Sequence, residues 1–207
     1  GLVALGTICD VVPLTGLNRA LVSQGLRVLQ KQNNLGIKAL VGTANILEPL
    51  NSYHAGFLLG PRVNAGGRVG EANLGVRLLT TSDVDEANAL AHKLDGYNNE
   101  RKHLEQIVFE QALIQAEQQE KQQCTLILVS EKNWHPGVIG IVAGRLRERF
   151  NKPSCVITQA GGIGKGSGRS VKGVNLGAAI IAARQVGIVC NGGGHSMAAG
   201  FTVSNNN

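Results

Sequence analysis

Apolar residues recur with a helical period in two parts of the chain. Side chains at 21, 22, 26 and 29 predict a helix over residues 18–31. The same period runs from Val84 to Ile114, and the segment Ser82–Glu86 supplies a capping residue followed by acids, as at a helix start. If unbroken, this second helix has about 40 residues and a length of about 60 Å. That length predicts a connector between domains, which Gly96 could bend or divide.

A denser apolar run covers residues 2–14, with Pro13 and Gly16 marking its end. It holds Asp10, the only acid among the first forty residues. We interpret the run as a strand, because α/β enzymes place carboxylates at the carboxyl edge of a sheet in this way. A carboxylate buried there needs a metal, a cation or a cluster of donors. An Asp that caps the turn before Pro13 is an equally good interpretation from spacing alone.

Strand and helix patterns alternate in the last third of the chain. Strands are predicted at 125–129, 154–158 and 200–203, and helices at 138–150 and 176–185. Such alternation predicts an α/β layer arrangement with a largely parallel or mixed sheet. We therefore assign the chain to the α/β class.

Three glycine-rich segments interrupt these elements. Residues 60–68 carry Arg62 and Arg68 and are predicted to form a shaped loop. Residues 165–170 and 191–195 are predicted as two turns, the first bearing Lys, Arg and two Ser. Glycine lets successive N–H groups point into one concavity, while Arg and Ser add hydrogen bonds to phosphate oxygens, so the two turns predict an anion site. Neither has the Walker or dinucleotide spacing, and simple bends between elements are the alternative.

Composition narrows the class of protein. At 207 residues and 43% hydrophobic content, the chain suffices for one large or two modest domains. Only 3% is aromatic, so base stacking is not expected to dominate any nucleic-acid binding. The four scattered cysteines predict reduced, mostly buried thiols in a cytoplasmic protein, and no run predicts export or membrane spanning. The chain begins with Gly1 and an element already under way, so we interpret it as a fragment.

Charge is distributed unevenly along the chain. Residues 1–80, 81–122 and 123–207 carry net charges of +4, −5 and +7. Two basic lobes joined by an acidic connector favour a polyanion held between the lobes, because phosphate neutralisation releases counterions. Ordinary surface charge with an acidic, solvated helix is the alternative.

Six motifs in series give the sequence a family resemblance. They occupy residues 4–14, 60–68, 98–102, 134–145, 166–170 and 193–195. In this order and at these separations they resemble the RecJ family of single-strand-specific DNA exonucleases, within the DHH phosphoesterase superfamily. The match runs nearly from end to end.

The resemblance implies a split architecture. Residues 1–80 would end a DHH catalytic domain, 81–123 would form a connecting helix, and 124–207 would form the DHH-associated substrate-binding domain. The family holds a pair of Mn²⁺ or Mg²⁺ ions with Asp and His side chains, and Asp10 matches one catalytic metal ligand. The Asp-His-His motif and the other ligands are absent from this sequence, so we expect the isolated chain to be inactive. The family's C-terminal nucleic-acid-binding domain is also expected to be missing after Val203.

The resemblance also implies binding residues. Ser167 and Arg169, with Ser170 in the same motif, match the pocket for a terminal 5′ phosphate. Arg68 and Arg62 match a loop that faces the substrate backbone. The turn Gly193, Gly194 and His195 matches the family's glycine-histidine turn. For His135, a phosphate site at a helix N-terminus and a helix cap are both open, and Trp134 is expected to fill a core.

The leading hypothesis is metal-dependent hydrolysis of single-stranded DNA from the 5′ end, in the cytoplasm, in DNA repair and recombination, with other repair proteins as further partners. One alternative is a DHH-type phosphodiesterase of short oligonucleotides or cyclic dinucleotides. Another is a non-catalytic nucleic-acid-binding module.

Overall fold

The computed structural model describes residues 1–204, which form two compact units. The first is Gly1–Arg101 and the second starts at Lys102. Among the described residues, no helix combines the length and apolar character needed to cross a membrane.

The first unit is built from helices packed around one apolar core. Leu40, Leu59, Leu78 and Leu94 are completely buried within that core. Its elements are α1 (Leu2–Cys9), α2 (Gly16–Gln30), α3 (Leu35–Thr43), a π-helical segment (His54–Leu59), α4 (Gly60–Val69), α5 (Leu74–Thr80) and the start of α6 (Val84–Lys121).

The strand predicted over residues 2–14 is wrong, because residues 2–9 form α1. Leu2, Leu5 and Ile8 stand three residues apart, which is a helical spacing, and Leu5 is buried on the inner face. Asp10 follows as the C-cap residue and is exposed to solvent. The argument that a buried Asp10 carboxylate requires a metal therefore does not hold for this chain.

The loop predicted over residues 60–68 is also wrong, because these residues form α4. Pro61 lies in the first turn, where a helix tolerates proline. A Cβ on Gly60 would lie 2.3 Å from the Cys9 Sγ, and one on Gly66 would lie 2.4 Å from the Glu71 carbonyl oxygen. These glycines therefore permit close packing and do not bend the chain.

The long helix is confirmed as α6, a single helix of 38 residues that Gly96 does not divide. Its capping residue is Asp83 and not Ser82. The Asp83 carboxylate accepts hydrogen bonds from the backbone N–H of Asp85 at 2.7 Å and of Glu86 at 3.0 Å.

The second unit contains a mixed sheet, as predicted, but the sheet has five strands where the sequence predicted three. The strand order is β1-β2-β3-β5-β4, where β1 and β2 are parallel and the other neighbours are antiparallel. Its elements after α6 are β1 (Ile127–Lys132), α7 (Pro136–Phe150), β2 (Ser154–Ala160), β3 (Ile163–Arg169), α8 (Leu176–Gln185), β4 (Asn191–His195) and β5 (Ala198–Ser204). Both glycine-rich segments predicted as turns thus lie in strands, 165–169 in β3 and 191–195 in β4.

The two helices of this sheet cover opposite faces. On one face α7 packs over β2 and β3, and its core includes Val129, Val142 and Val156. On the other face α8 packs against β4 and β5, in a core with Leu176 and Phe201. The sheet is therefore the middle layer of the unit.

All four cysteines are free thiols, as expected for a reduced protein. Cys155 is buried, Cys9 and Cys124 are half-buried, and Cys190 is exposed. The expectation that most of them are buried is wrong.

Candidate nucleic-acid interface

Strand β3 separates polar residues from glycines. Side chains alternate between the faces of a strand, so Lys165, Ser167 and Arg169 share one face. Glycines at 164, 166 and 168 face the other way, where they are buried. A Cβ on Gly166 would lie 2.2 Å from the Phe201 ring, so bulky residues of the α8 side lie directly on the glycines. The polar side chains are thereby held on the α7 face.

Helix α7 lies close to the polar face because Gly140 stands opposite it. A Cβ on Gly140 would be 3.0 Å from the Ser167 Oγ and 3.2 Å from a terminal nitrogen of Arg169. The Arg169 guanidinium donates to the Ser167 Oγ at 3.3 Å and to the Gly168 carbonyl at 2.9 Å. These contacts orient a half-buried cation beside a hydroxyl.

Register brings two further predicted residues onto the same face. Ser167 pairs with Gly200, which pairs with Gly193. Arg169 pairs with Ala198, which pairs with His195. Directly paired residues of neighbouring strands point to the same face of a sheet, so His195 joins Arg169 there. A Cβ on Gly193 would meet nothing within 4 Å, and one on Gly200 would only reach the Gly166 carbonyl oxygen at 4.0 Å, so this part of the face is open.

Two predicted residues lie away from this face. Gly194 pairs with Ala199 and belongs to the opposite face, where a Cβ would lie 2.3 Å from the Ala198 carbonyl oxygen. Ser170 is 1% exposed, and its Oγ donates to the Val174 carbonyl at 2.8 Å. Gly194 and Ser170 thus shape the backbone, and the Ser170 hydroxyl is turned inward.

The two arginines of α4 belong to the first unit and differ from each other. Arg62 donates to the Asp95 carboxylate at 2.8 Å and to the Leu58 carbonyl at 2.8 Å. Its side chain is only 12% exposed, so its position is that of a structural ion pair. Arg68 is exposed.

For His135 the structure confirms the helix cap. It is the N-cap residue of α7, and its Nδ1 accepts from the Gly137 backbone N–H at 3.1 Å. Trp134 is buried as expected, and its Nε1 donates to Gln111 at 2.7 Å.

The anion-site segment predicted over residues 165–170 includes Lys165, but no binding role was assigned to that residue, and Gly140 was not predicted at all. Lys165 is exposed and shares the face of Ser167 and Arg169. Strand alternation would have included it, had residues 163–169 been assigned as a strand and not as a turn. Gly140 had no signal of its own, because its role depends on the approach of α7 to β3.

A metal pair needs several ligands that converge on it. Among residues 1–204, no group of three or more His, Cys, Asp or Glu side chains could hold a metal ion. Asp10 is a lone, exposed carboxylate. The residues present therefore do not fit a two-ion site, and the role of Asp10 as a ligand rests on the resemblance alone.

The part of the chain that forms the sheet matches a known domain family. Residues 122–207 match the DHHA1 domain. Nearly the whole chain, moreover, matches single-stranded-DNA-specific RecJ exonucleases. It is 42% identical over 98% of its length to the protein of Dickeya dadantii and 41% identical over 98% to that of Bacillus subtilis. The chain belongs to the RecJ family.

Solved structures agree with this assignment. RecJ of Thermus thermophilus in complex with Mn²⁺ matches with a TM-score of 0.87 at 35% identity, over 98% of this chain and 30% of that one. The same protein in complex with Mg²⁺ matches with a TM-score of 0.85. The chain spans 36% of the Dickeya relative and 26% of the Bacillus relative, about a third of their length or less.

Proposed function

We propose that this chain is the substrate-binding part of a metal-dependent exonuclease that degrades single-stranded DNA from its 5′ end. The observation that carries the proposal is the common face of Ser167, Arg169 and His195, which three strands of one sheet hold in register. The relatives' names support the substrate class, since they are single-stranded-DNA-specific exonucleases.

Ser167 and Arg169 bind the terminal phosphate in this proposal. A guanidinium can grip two phosphate oxygens at once, which an ammonium cannot. His195 and the open glycines at 193 and 200 give the sugar-phosphate backbone a path close to the sheet. Arg68, an exposed arginine of the first unit, is a further phosphate-binding residue in this proposal, whereas the ion pair with Asp95 withdraws Arg62 from such a role.

The test is an Arg169→Ala variant in equilibrium binding to 3′-labelled, 5′-phosphorylated dT10. We expect about ten- to hundredfold weaker binding, because a charge-assisted contact contributes about 1.5–3 kcal/mol. The slope of log K against log salt should fall by about 0.7, which is the value for one phosphate contact on a single strand. Fluorescence anisotropy over a KCl series measures both.

The matched control is Arg149→Ala, which removes the same charge from an exposed arginine paired with Glu117. It should leave the affinity and the salt slope nearly unchanged. Equal losses in the two variants would show that only net charge matters and would contradict a phosphate site at Arg169.

Hydrolysis forms the second part of the proposal. We assign Asp10 as one metal ligand of the longer enzyme, and the sequence contains no Asp-His-His motif. We therefore expect no Mn²⁺- or Mg²⁺-dependent degradation of dT10 by these 207 residues, and measurable hydrolysis would refute this.

We place the longer enzyme in cytoplasmic DNA repair and recombination, together with other repair proteins. Preferential cleavage of dinucleotides by that enzyme would favour the short-oligonucleotide alternative instead.

A further inference from the structure

An open pocket of about 490 Å³ lies beside the start of α7 in the second unit. Its lining includes Trp134, His135, Thr158, Ala160, Ile163 and Lys165. Neither the relatives' names nor the motifs assign it a role. Its volume falls in the range of small-molecule sites, about 300–1,000 Å³.

The walls of the pocket are fixed by contacts within the unit. The Thr158 hydroxyl donates to the Trp134 carbonyl at 2.6 Å. His135 is held as the cap of α7 through its Nδ1. A pocket with such walls is preformed, so a ligand does not have to order it.

The chemistry of the lining is apolar with one cation. Ile163 and Ala160 contribute exposed apolar surface, and the largely buried Trp134 also borders the pocket. Lys165 is exposed, and within residues 1–204 its ammonium has no hydrogen bond or ion pair. This combination fits a flat, largely apolar group attached to an anion, which describes a nucleotide.

The pocket lies next to the proposed phosphate site along β3. Lys165 precedes Ser167 by two residues on the same face, a separation of about 6.6 Å. We propose that the pocket receives the base of the 5′-terminal nucleotide, while Ser167 and Arg169 hold its phosphate. The proposal rests on the proposed function for the position of the phosphate, and it adds a base-binding site to it.

The experiment compares the binding of two strands to the 207-residue chain: 5′-phosphorylated dT10, and the same strand with an abasic 5′-terminal residue. Unphosphorylated dT10 serves as a third probe and measures the preference for a 5′ phosphate. We expect the wild-type chain to bind the abasic strand about five- to tenfold more weakly, because one bound base is lost. In Ala160→Leu the added side chain narrows the pocket, and the two strands should bind within about twofold of each other. Ala160 is exposed, so this change leaves the core intact.

The matched control is Ala179→Leu, the same change at an exposed position of α8 on the opposite face of the sheet. The Ala179→Leu variant should retain the full difference in affinity between the intact and the abasic DNA strand. A wild-type chain that prefers a 5′ phosphate but binds both strands equally would overturn the base pocket and leave the proposed function standing. A chain without preference for a 5′ phosphate would overturn both.

Discussion

Helix α4 and strand β3 both combine glycines with basic residues, yet they use the basic residues differently. In α4, Arg62 turns inward to Asp95. In β3, Lys165, Ser167 and Arg169 stay together on one face. Glycine serves the same purpose in both, since Gly60 and Gly66 in α4 and Gly166 and Gly168 in β3 all face a group that a Cβ would hit.

The difference shows that an arginine's function follows from what its element packs against. Arg62 lies within reach of an acid on α6, so it becomes part of the structure. Arg169 lies beside the Ser167 hydroxyl and the backbone of Gly140, on the strand face that also carries Lys165. A glycine-arginine motif by itself therefore does not specify an anion site.

The largest expected effect separates Arg62 from Arg68. Arg62→Ala leaves the mostly buried Asp95 carboxylate without its cation, and should lower the free energy of unfolding by about 2–4 kcal/mol. Arg68 is exposed, so Arg68→Ala should change it by less than about 1 kcal/mol. Urea denaturation of the two variants measures the difference. Similar losses would mean that the arginines of α4 are equivalent after all.

The next effect concerns the two thiols that face these glycines, Cys155 opposite Gly168 and Cys9 opposite Gly60. Burial raises the pKa of Cys155 from 9.0 to about 11. Burial, and secondarily the Asp10 charge, also raise the pKa of Cys9.

When folding raises the pKa of a thiol, that thiol contributes to the stability of the fold. Its contribution is complete when the pH is below the thiol's pKa in the unfolded state. That stability is lost as the pH rises toward the folded value, here between about 9 and 11. The loss for Cys155 should approach about 2–3 kcal/mol, at 1.36 kcal/mol per pKa unit. We expect the stability of Cys155→Ala to fall less steeply with pH than that of the wild type, and Cys9→Ala to show a smaller difference. Parallel pH profiles for Cys155→Ala and wild type would contradict the burial of Cys155.

The elements that the sequence predicts correctly are those that local pattern determines. The helices α2, α6 and α8 have a clear period and a capping residue or a glycine stop, and β2 is a dense apolar strand. The strand prediction at residues 2–9 is wrong because a short apolar run fits a strand or a helix equally well. The burial that decides between them comes from other helices of the first unit.

The glycine-rich segments predicted an anion site and the family motif assigned its residues, but the geometry of the site could not be predicted locally. The Phe201 ring is the reason that position 166 accommodates only glycine without a clash. Phe201 lies 35 positions further along the chain, on a strand that pairs with β3. A local pattern of glycine, serine and arginine indicates a turn, because nothing nearby shows that another strand covers the glycines.

The smallest expected effects test why glycine stands at these positions: because it leaves room for a neighbouring group, or because it makes the backbone flexible. Gly166→Ala places a Cβ 2.2 Å from the Phe201 ring, and overpacking of this kind should cost about 1–2 kcal/mol. In α4, Gly67→Ala meets nothing within 4 Å and should stabilise the helix by about 0.5–1 kcal/mol. Its neighbour Gly66 faces the Glu71 carbonyl, so Gly66→Ala should destabilise like Gly166→Ala. The midpoints of thermal unfolding rank the three variants by stability. If all three variants shift the midpoint in the same direction, backbone flexibility and not close packing explains the glycines of α4 and β3.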